Sequence, residues 1–225
     1  MANKKEKKPN YKARLFSFEY IWHDIIKWLG WWQCLLWYRI KKYYDGPEAK
    51  KRIKGGAIVT SNHVGFSDPF VLQCTVLSRR WHFLHMTDLI KNKVQGWFYR
   101  RVFLSYAIDR DKPSLKTMKM LSEYAKGGNL IALFPEGHIK RDDKVDAFKG
   151  GAVLIAYMSD KPIIPIYHKR RKSIWNMTRM VIGKPFNIKE MIGPVLTQDK
   201  VAKVSEELHQ YELHLQELCE EKMKK

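Results

Sequence analysis

From residue 57 onward the chain alternates short apolar runs with helical patterns, and no other feature narrows its possible folds as much. Residues 57–60, 81–86, 106–108, 129–134, 163–167 and 178–182 read as strands. Residues 69–78, 88–103, 113–127 and 152–158 read as helices between them. Strands alternating with helices predict an α/β fold with a mostly parallel central sheet flanked by helices. In such sheets ligands bind beyond the carboxyl ends of the strands. Three polar clusters fall at such ends: His63 with Asp68, Asp109 with Arg110, and Glu136 with Gly137. After Pro194 a last helix carries Val201, Val204, Leu208, Tyr211, Leu215 and Leu218 at spacings of three and four, enough to pack on the domain and too short for a coiled coil.

The first cluster holds the most specific chemistry. His63 and Asp68 are five positions apart in Ser61-Asn62-His63-Val64-Gly65-Phe66-Ser67-Asp68-Pro69. On a continuous helix they would point about 140° apart, so they meet only if the backbone turns between them. Gly65 permits that turn, and Pro69 suits the first turn of a following helix capped by Ser67 or Asp68. A carboxylate beside an imidazole fixes its tautomer and raises its basicity, making a general base near neutral pH. No G-x-S-x-G elbow supplies an enzyme nucleophile, and Cys74 falls within a helical stretch. The nucleophile is then the substrate's own hydroxyl. Arg110 and Lys149, with the Gly137 and Gly150-Gly151 amides, could hold a phosphate by charge-assisted hydrogen bonds and a helix N-terminus.

The charge balance fits an anionic partner. The 225 residues carry a formal charge of +19, while residues 197–225 hold only 5 Lys/Arg against 7 Asp/Glu. Basic pairs recur at Lys41-Lys42, Lys51-Arg52, Arg79-Arg80 and Arg100-Arg101, with a longer run over Lys169-Arg170-Arg171-Lys172. Nucleic acid, an anionic membrane and an anionic small substrate all satisfy this imbalance. No RNP, zinc-finger or helix-turn-helix pattern supports the first of these. Three scattered cysteines, Cys34, Cys74 and Cys219, give neither a disulfide framework nor a zinc motif.

The N-terminal region points to a membrane surface. Residues 1–14 read as a basic flexible tail. Residues 15–44 read as a pair of amphipathic membrane-interface helices broken at Gly30, the first with the stripe Leu15, Phe18, Trp22, Ile25 and Leu29. Its charge-free run, residues 28–38, is 11 residues long, against about 20 for a spanning helix. Five of the eight tryptophans lie between Trp22 and Trp37, and indoles with flanking lysines favour the membrane–water boundary. Residues 45–225 then form the α/β domain.

Four ordered motifs, Asn62-His63-x4-Asp68, Ile108-Asp109-Arg110, Phe134-Pro135-Glu136-Gly137 and Ile164-Pro165-Ile166, resemble those of the glycerolipid acyltransferases with the HxxxxD motif. The branch most similar is the 1-acylglycerol-3-phosphate (lysophosphatidate) acyltransferases, and the resemblance covers residues 55–170. It implies that His63 deprotonates the acceptor hydroxyl, that Asp68 orients His63, and that no acyl-enzyme forms. It implies acyl-CoA or acyl carrier protein as donor, phosphatidate as product, no cofactor or metal, no nucleic acid, and a monotopic place on the cytoplasmic face of the membrane. Asn62, Arg110, Glu136 and Gly137 would serve substrate binding beside Lys149, with Glu136 orienting Arg110 or a backbone amide rather than touching phosphate. The family's third motif commonly continues Thr-Arg-Ser, where this chain has His138-Ile139-Lys140. Lys140 or Arg141 would replace the arginine only as a weaker match, because a lysine is a point charge and not a fork. The departure leaves room for another lysolipid or an amino-lipid acceptor. A scaffold with a dead site has no physical need of both His63 and Asp68.

Overall fold

The computed structural model describes residues 11, 20–76, 78–109, 114–137, 147–171, 173 and 175–224. The remainder of the basic tail, the Leu15 and Phe18 part of the apolar stripe, Arg110 and the 138–146 segment lie outside them.

The strands are β1 (Lys41–Tyr44), β2 (Ala57–Ser61), β3 (Trp81–Met86), β4 (Ser105–Ile108), β5 (Leu130–Leu133), β6 (Ile163–His168) and β7 (Arg179–Ile182). They form one seven-stranded sheet in the order β1-β7-β6-β2-β5-β3-β4. Every neighbouring pair is parallel except β6 with β7. This is the mostly parallel α/β sheet that the alternating pattern predicts. Each central strand is buried on both faces, as a parallel sheet covered by helices requires.

The helices are α1 (Ile21–Tyr38), α2 (Gly46–Lys50), α3 (Asp68–Gln73), α4 (Lys93–Arg101), α5 (Leu115–Lys126), α6 (Gly151–Ser159), α7 (Ile188–Ile192) and α8 (Gln198–Lys224). On one face Ile58, Ile131 and Ile163 pack against Leu121 of α5, Ile155 of α6, Ile188 of α7 and Leu208 of α8. On the other, Val59, Ala132, Ile164 and Ile166 pack against Val71 and Leu72 of α3, with Tyr38 at the edge. The two faces alternate residue by residue along β2, the period-two signature of a strand.

The N-terminal element differs from the expected helix pair. α1 runs through Gly30 without a break and ends at Arg39, which adopts φ 43° and closes the helix through its N–H to Leu35 O. A Cβ at Gly30 would meet nothing within 4 Å, and an interior helix glycine costs only about 1 kcal/mol. Residues 41–44, read as the end of the second helix, are an edge strand paired with β7 from Lys41↔Arg179 to Tyr44↔Ile182. The α/β domain therefore begins at residue 41, and α2 and α7 are further short helices that the sequence pattern did not reveal. α3 is also shorter than expected, ending at Gln73. Within the tail, Tyr11 packs edge-on against Tyr124 at 4.9 Å and accepts a hydrogen bond from Asn129.

α1 is amphipathic in an inverted sense. Three polar residues of its first turns face the protein: the His23 ring donates to Val102 O at 2.6 Å, Lys27 donates to Arg79 O, and Asp24 pairs with Arg80. Burial holds the His23 pKa down to about 4, so the ring docks as a neutral donor. Its apolar residues face outward, with Trp22, Ile25, Leu29, Trp32 and Leu36 exposed and Trp28 73% exposed. No helix among the described residues is long and apolar enough to cross a membrane.

Two glycines mark opposite constraints. A Cβ at Gly56 would lie 1.8 Å from the backbone oxygen of Ala125, where β2 enters beside the end of α5. Gly56→Ala is expected to cost about 1–3 kcal/mol or more, as overpacking against backbone does. Gly30→Ala is expected to gain up to about 1 kcal/mol. Denaturant unfolding of both variants checks the pair.

Candidate active site

The carboxyl ends of β2, β5, β3 and β4 open onto one cavity of about 950 Å³. Its mouth carries His63, Phe66, Asp109, Gly137 and Lys149, and its walls are mainly aromatic and aliphatic, among them Phe70, Phe83, Phe98, Phe103 and Met118. Of the expected groups, His63, Gly137, Lys149 and the Gly150-Gly151 entry to α6 converge here. Arg110, the next residue in the sequence after Asp109, lies outside the described residues.

Asp68 organises the histidine loop. Its Oδ2 accepts from the His63 ring at Nδ1 (2.7 Å), from Val64 N–H (2.8 Å) and from Gly65 N–H (2.9 Å). The turn between histidine and aspartate is thus closed by donors converging on one oxygen. Gly65 is not in the left-handed region, and a Cβ there would meet only Ser67 Oγ and Asp68 Oδ1 at ordinary contact distance. Its expected conformational role is therefore replaced by its N–H. Ser67 stands at the N-cap of α3 without a side-chain capping bond, and Pro69 occupies the first turn as expected.

A second histidine completes the arrangement, and sequence reasoning missed it. His168, at the end of β6, places Nε2 3.1 Å from Asp68 Oδ1, at ion-pair distance although off the line of a full hydrogen bond. Its Nδ1 meets Ser61 Oγ at 3.1 Å. The available signal was a polar residue at a strand's carboxyl end, two positions beyond Ile164-Pro165-Ile166. Burial alone would raise the Asp68 pKa, but the close approach of the His168 ring and the hydrogen bonds from the His63 ring and Gly65 N–H hold it below the usual carboxylate range. Asp68 stays ionised, and so the His63 proton sits on Nδ1 and leaves Nε2 as the base. The ring stacks on Phe134 at 4.1 Å, which fixes its plane.

Two expected substrate contacts have other work. Asn62 is buried; its Nδ2 donates to His168 O at 2.9 Å and its Oδ1 accepts from His168 N–H at 3.0 Å. The side chain continues the β2–β6 pairing past the strand end. Glu136 is buried too, and its Oε1 accepts the His63 backbone N–H at 3.3 Å. That matches the expectation that Glu136 orients a backbone amide. Gly137 adopts φ +76°, and a Cβ there would sit 3.2 Å from Lys149 Nζ. Glycine at 137 therefore lets the ammonium reach the cavity mouth. Among the described residues no group of three or more His, Cys, Asp or Glu could hold a metal ion.

Chemically, the site joins a general base to a cation at the mouth of a long apolar cavity. Asp68→Asn is expected to lower kcat by about 10²–10⁴-fold, because the amide can hold the wrong tautomer. It also has a stability signature. A depressed carboxylate stabilises the fold above its unfolded value of about 3.9, and that contribution is lost as pH falls below it. Denaturant titrations between pH 7 and pH 3 are expected to show a smaller acid loss in Asp68→Asn than in wild type.

Comparison with known proteins agrees with this geometry. The family model described as Acyltransferase matches residues 41–169. The chain is 25% identical over 160 residues to the 1-acyl-sn-glycerol-3-phosphate acyltransferase of Bacillus subtilis (strain 168), covering 69% of this chain and 78% of that protein. It is 29% identical over 110 residues to the chloroplastic 1-acyl-sn-glycerol-3-phosphate acyltransferase BAT2 of Brassica napus, covering 48% of this chain and 31% of that protein. Its fold is similar to the crystal structure of the 1-acyl-sn-glycerophosphate acyltransferase PlsC from Thermotoga maritima, with a TM-score of 0.60 and 20% identity over 87% of this chain and 78% of that one.

Proposed function

The chain belongs to the Acyltransferase family, and from that premise we propose that it moves a fatty acyl group from acyl-CoA or acyl carrier protein to the sn-2 hydroxyl of lysophosphatidate, forming phosphatidate at a membrane surface. The observation that carries this reading is the His63–Asp68 pair at the mouth of an apolar cavity of about 950 Å³, with Lys149 beside it. The names of the relatives point to the same acceptor.

In this reaction His63 Nε2 takes the proton of the acceptor hydroxyl as its oxygen attacks the thioester carbonyl. Asp68 stabilises the imidazolium that forms. The tetrahedral oxyanion collapses, the carbon–sulfur bond breaks, and the thiolate leaves with the proton returned by His63. Lys149 draws the acceptor's phosphate to the mouth by charge. The aromatic cavity takes the acyl chain, each buried methylene contributing about 0.8 kcal/mol. A second acceptor, another lysolipid or an amino-lipid, is favoured by one feature: His138-Ile139-Lys140 stands where the related motif has Thr-Arg-Ser.

Purified protein in detergent, given lysophosphatidate with acyl-CoA or acyl carrier protein, is expected to form phosphatidate detectable by mass spectrometry. His63→Ala is expected to reduce the rate by at least about 10²-fold. No phosphatidate from wild type, with turnover of a different lysolipid in a parallel panel, transfers the reading to that acceptor. Equal product from His63→Ala overturns the role of the base.

The same reading sets the domain on the membrane as a monotopic protein, on the cytoplasmic face where the acyl donors reside. The outward apolar face of α1 supports this, as does its continuation through the Trp22–Trp97 contact at 5.9 Å to Phe98 at the cavity. Phe66 of the histidine loop is 76% exposed on the same mouth. Replacing Trp28, Trp32 and Leu36 together by serine is expected to lower co-flotation with anionic vesicles at least about tenfold, since each side chain contributes about 1.5–3 kcal/mol on burial. The melting temperature should hold, because all three are exposed. Unchanged flotation would refute the interfacial helix.

A further inference from the structure

The basic run Lys169-Arg170-Arg171-Lys172 has no part in the chemistry described above. It opens the segment between β6 and β7, which are antiparallel neighbours. That segment leaves the sheet at the end that carries the histidine loop, because His168, the last residue of β6, stands 3.1 Å from Asp68. Residues 169–171, 173 and 175–178 of it are described.

The segment docks on the end of α1. Thr178 N–H donates to Tyr38 O at 3.0 Å, and Lys41 N–H donates to Thr178 O at 2.8 Å. Arg171 Nη1 donates to Trp37 O at 2.8 Å, and its guanidinium stands 4.8 Å from the centre of the Tyr38 ring. Arg39, the left-handed residue that closes α1, donates to Trp175 O. Trp175 itself is 80% exposed, and Met177, Leu36 and Trp37 are exposed too. An isolated exposed tryptophan would need no explanation. Here Trp175 is tied to the foot of a helix whose apolar face is already open, so the loop extends that face.

Charge says what the extended face meets. Residues 25–44 and 169–179 hold nine Lys or Arg and no Asp or Glu. Lys169 turns to Glu220 of α8 at 3.0 Å, and the two segments together stay strongly positive. Exposed indoles among ammonium and guanidinium groups match a bilayer boundary, where the ring sits in the headgroup layer and the cations meet phosphate. A nucleic acid would answer the charge but leave the apolar side chains uncovered.

We infer that the β6–β7 loop is a second lipid-contact element beside α1, in which Trp175 enters the headgroup layer and Arg170 and Lys41 meet the phosphates of anionic lipids. This rests on the reading of α1 as an interfacial helix. A helix alone leaves the domain free to roll about the helix axis. A further contact at the end of β6 stops that roll, and turns toward the bilayer the end of the sheet where His63 stands.

Two exposed changes test the loop by co-flotation with vesicles of phosphatidylcholine, with and without phosphatidylglycerol. Trp175→Ser is expected to lower flotation about tenfold on the mixed vesicles. Lys41→Gln combined with Arg170→Gln is expected to lower it about thirtyfold on the mixed vesicles, to leave phosphatidylcholine alone unaffected, and to lose its effect as salt is raised. Both should melt with wild type, because all three side chains are exposed. Val195→Ser, an exposed apolar residue ahead of α8, should float as wild type. A Trp175→Ser variant that floats as wild type, or a charge variant equally impaired without phosphatidylglycerol, overturns the inference. Flotation lost only in the variant of Trp28, Trp32 and Leu36 keeps the interfacial helix and refutes the loop; the reverse pattern keeps the loop and refutes the helix. A wild type that binds a DNA duplex and ignores both kinds of vesicle refutes the two together.

Discussion

Everything at the carboxyl end of this sheet depends on one buried carboxylate. Asp68 carries a charge where burial opposes it, and it survives because every approach to it is a donor: two loop amides and the His63 ring on one oxygen, the His168 ring facing the other. Such hydrogen bonds to an ionised group are about twice as strong as neutral ones, so the carboxylate draws the loop closed around itself. The same interaction fixes the tautomer of His63. Loop geometry and basicity are consequently one property, and a change that weakens either weakens both.

Around that centre the loop is supported from two sides. β6 holds it through the Asn62 side chain, and the turn after β5 through Glu136. Support of this kind makes a short loop as rigid as the sheet it leaves, which general-base chemistry needs: reacting atoms must be held near contact for the proton and the attacking oxygen to move together. The cavity below the loop is built differently, from aromatic side chains on β3, α4 and the segments between them. Its chemistry is undirected burial, suited to a chain of methylenes.

α1 joins the two regions to the outside. A helix on a soluble domain normally turns its apolar stripe inward. Here His23, Asp24 and Lys27 turn inward to carbonyls and to Arg80, and the tryptophans turn out. The helix is held to the domain by these polar contacts, with its apolar face left exposed. Through the Trp22–Trp97 contact that face meets α4, whose Phe98 lines the cavity.

The strands were legible in the sequence because strands buried on both faces leave short continuous apolar runs, and those near residues 57, 81, 130 and 163 stand within a residue or two of their observed bounds. His63 and Asp68 were legible because a proline and a spacing incompatible with helix require the chain to turn between them. β1 was not legible: Lys41-Lys42-Tyr43-Tyr44 has no strand pattern of its own, and only pairing with β7 makes it one. The exposed apolar side of α1 was expected from its tryptophan density and flanking lysines; what the local pattern did not tell was that one helix runs unbroken through Gly30. Asn62 read as a ligand contact because its side chain's partner, the His168 backbone, lies 106 residues away. By itself, then, the sequence determined the α/β alternation and the turn that brings His63 to Asp68, both properties of neighbours along the chain. The tertiary structure alone decided that His168 flanks Asp68, that Glu136 accepts the His63 backbone N–H and that residues 41–44 form a strand, because each depends on which distant segments a parallel sheet brings side by side.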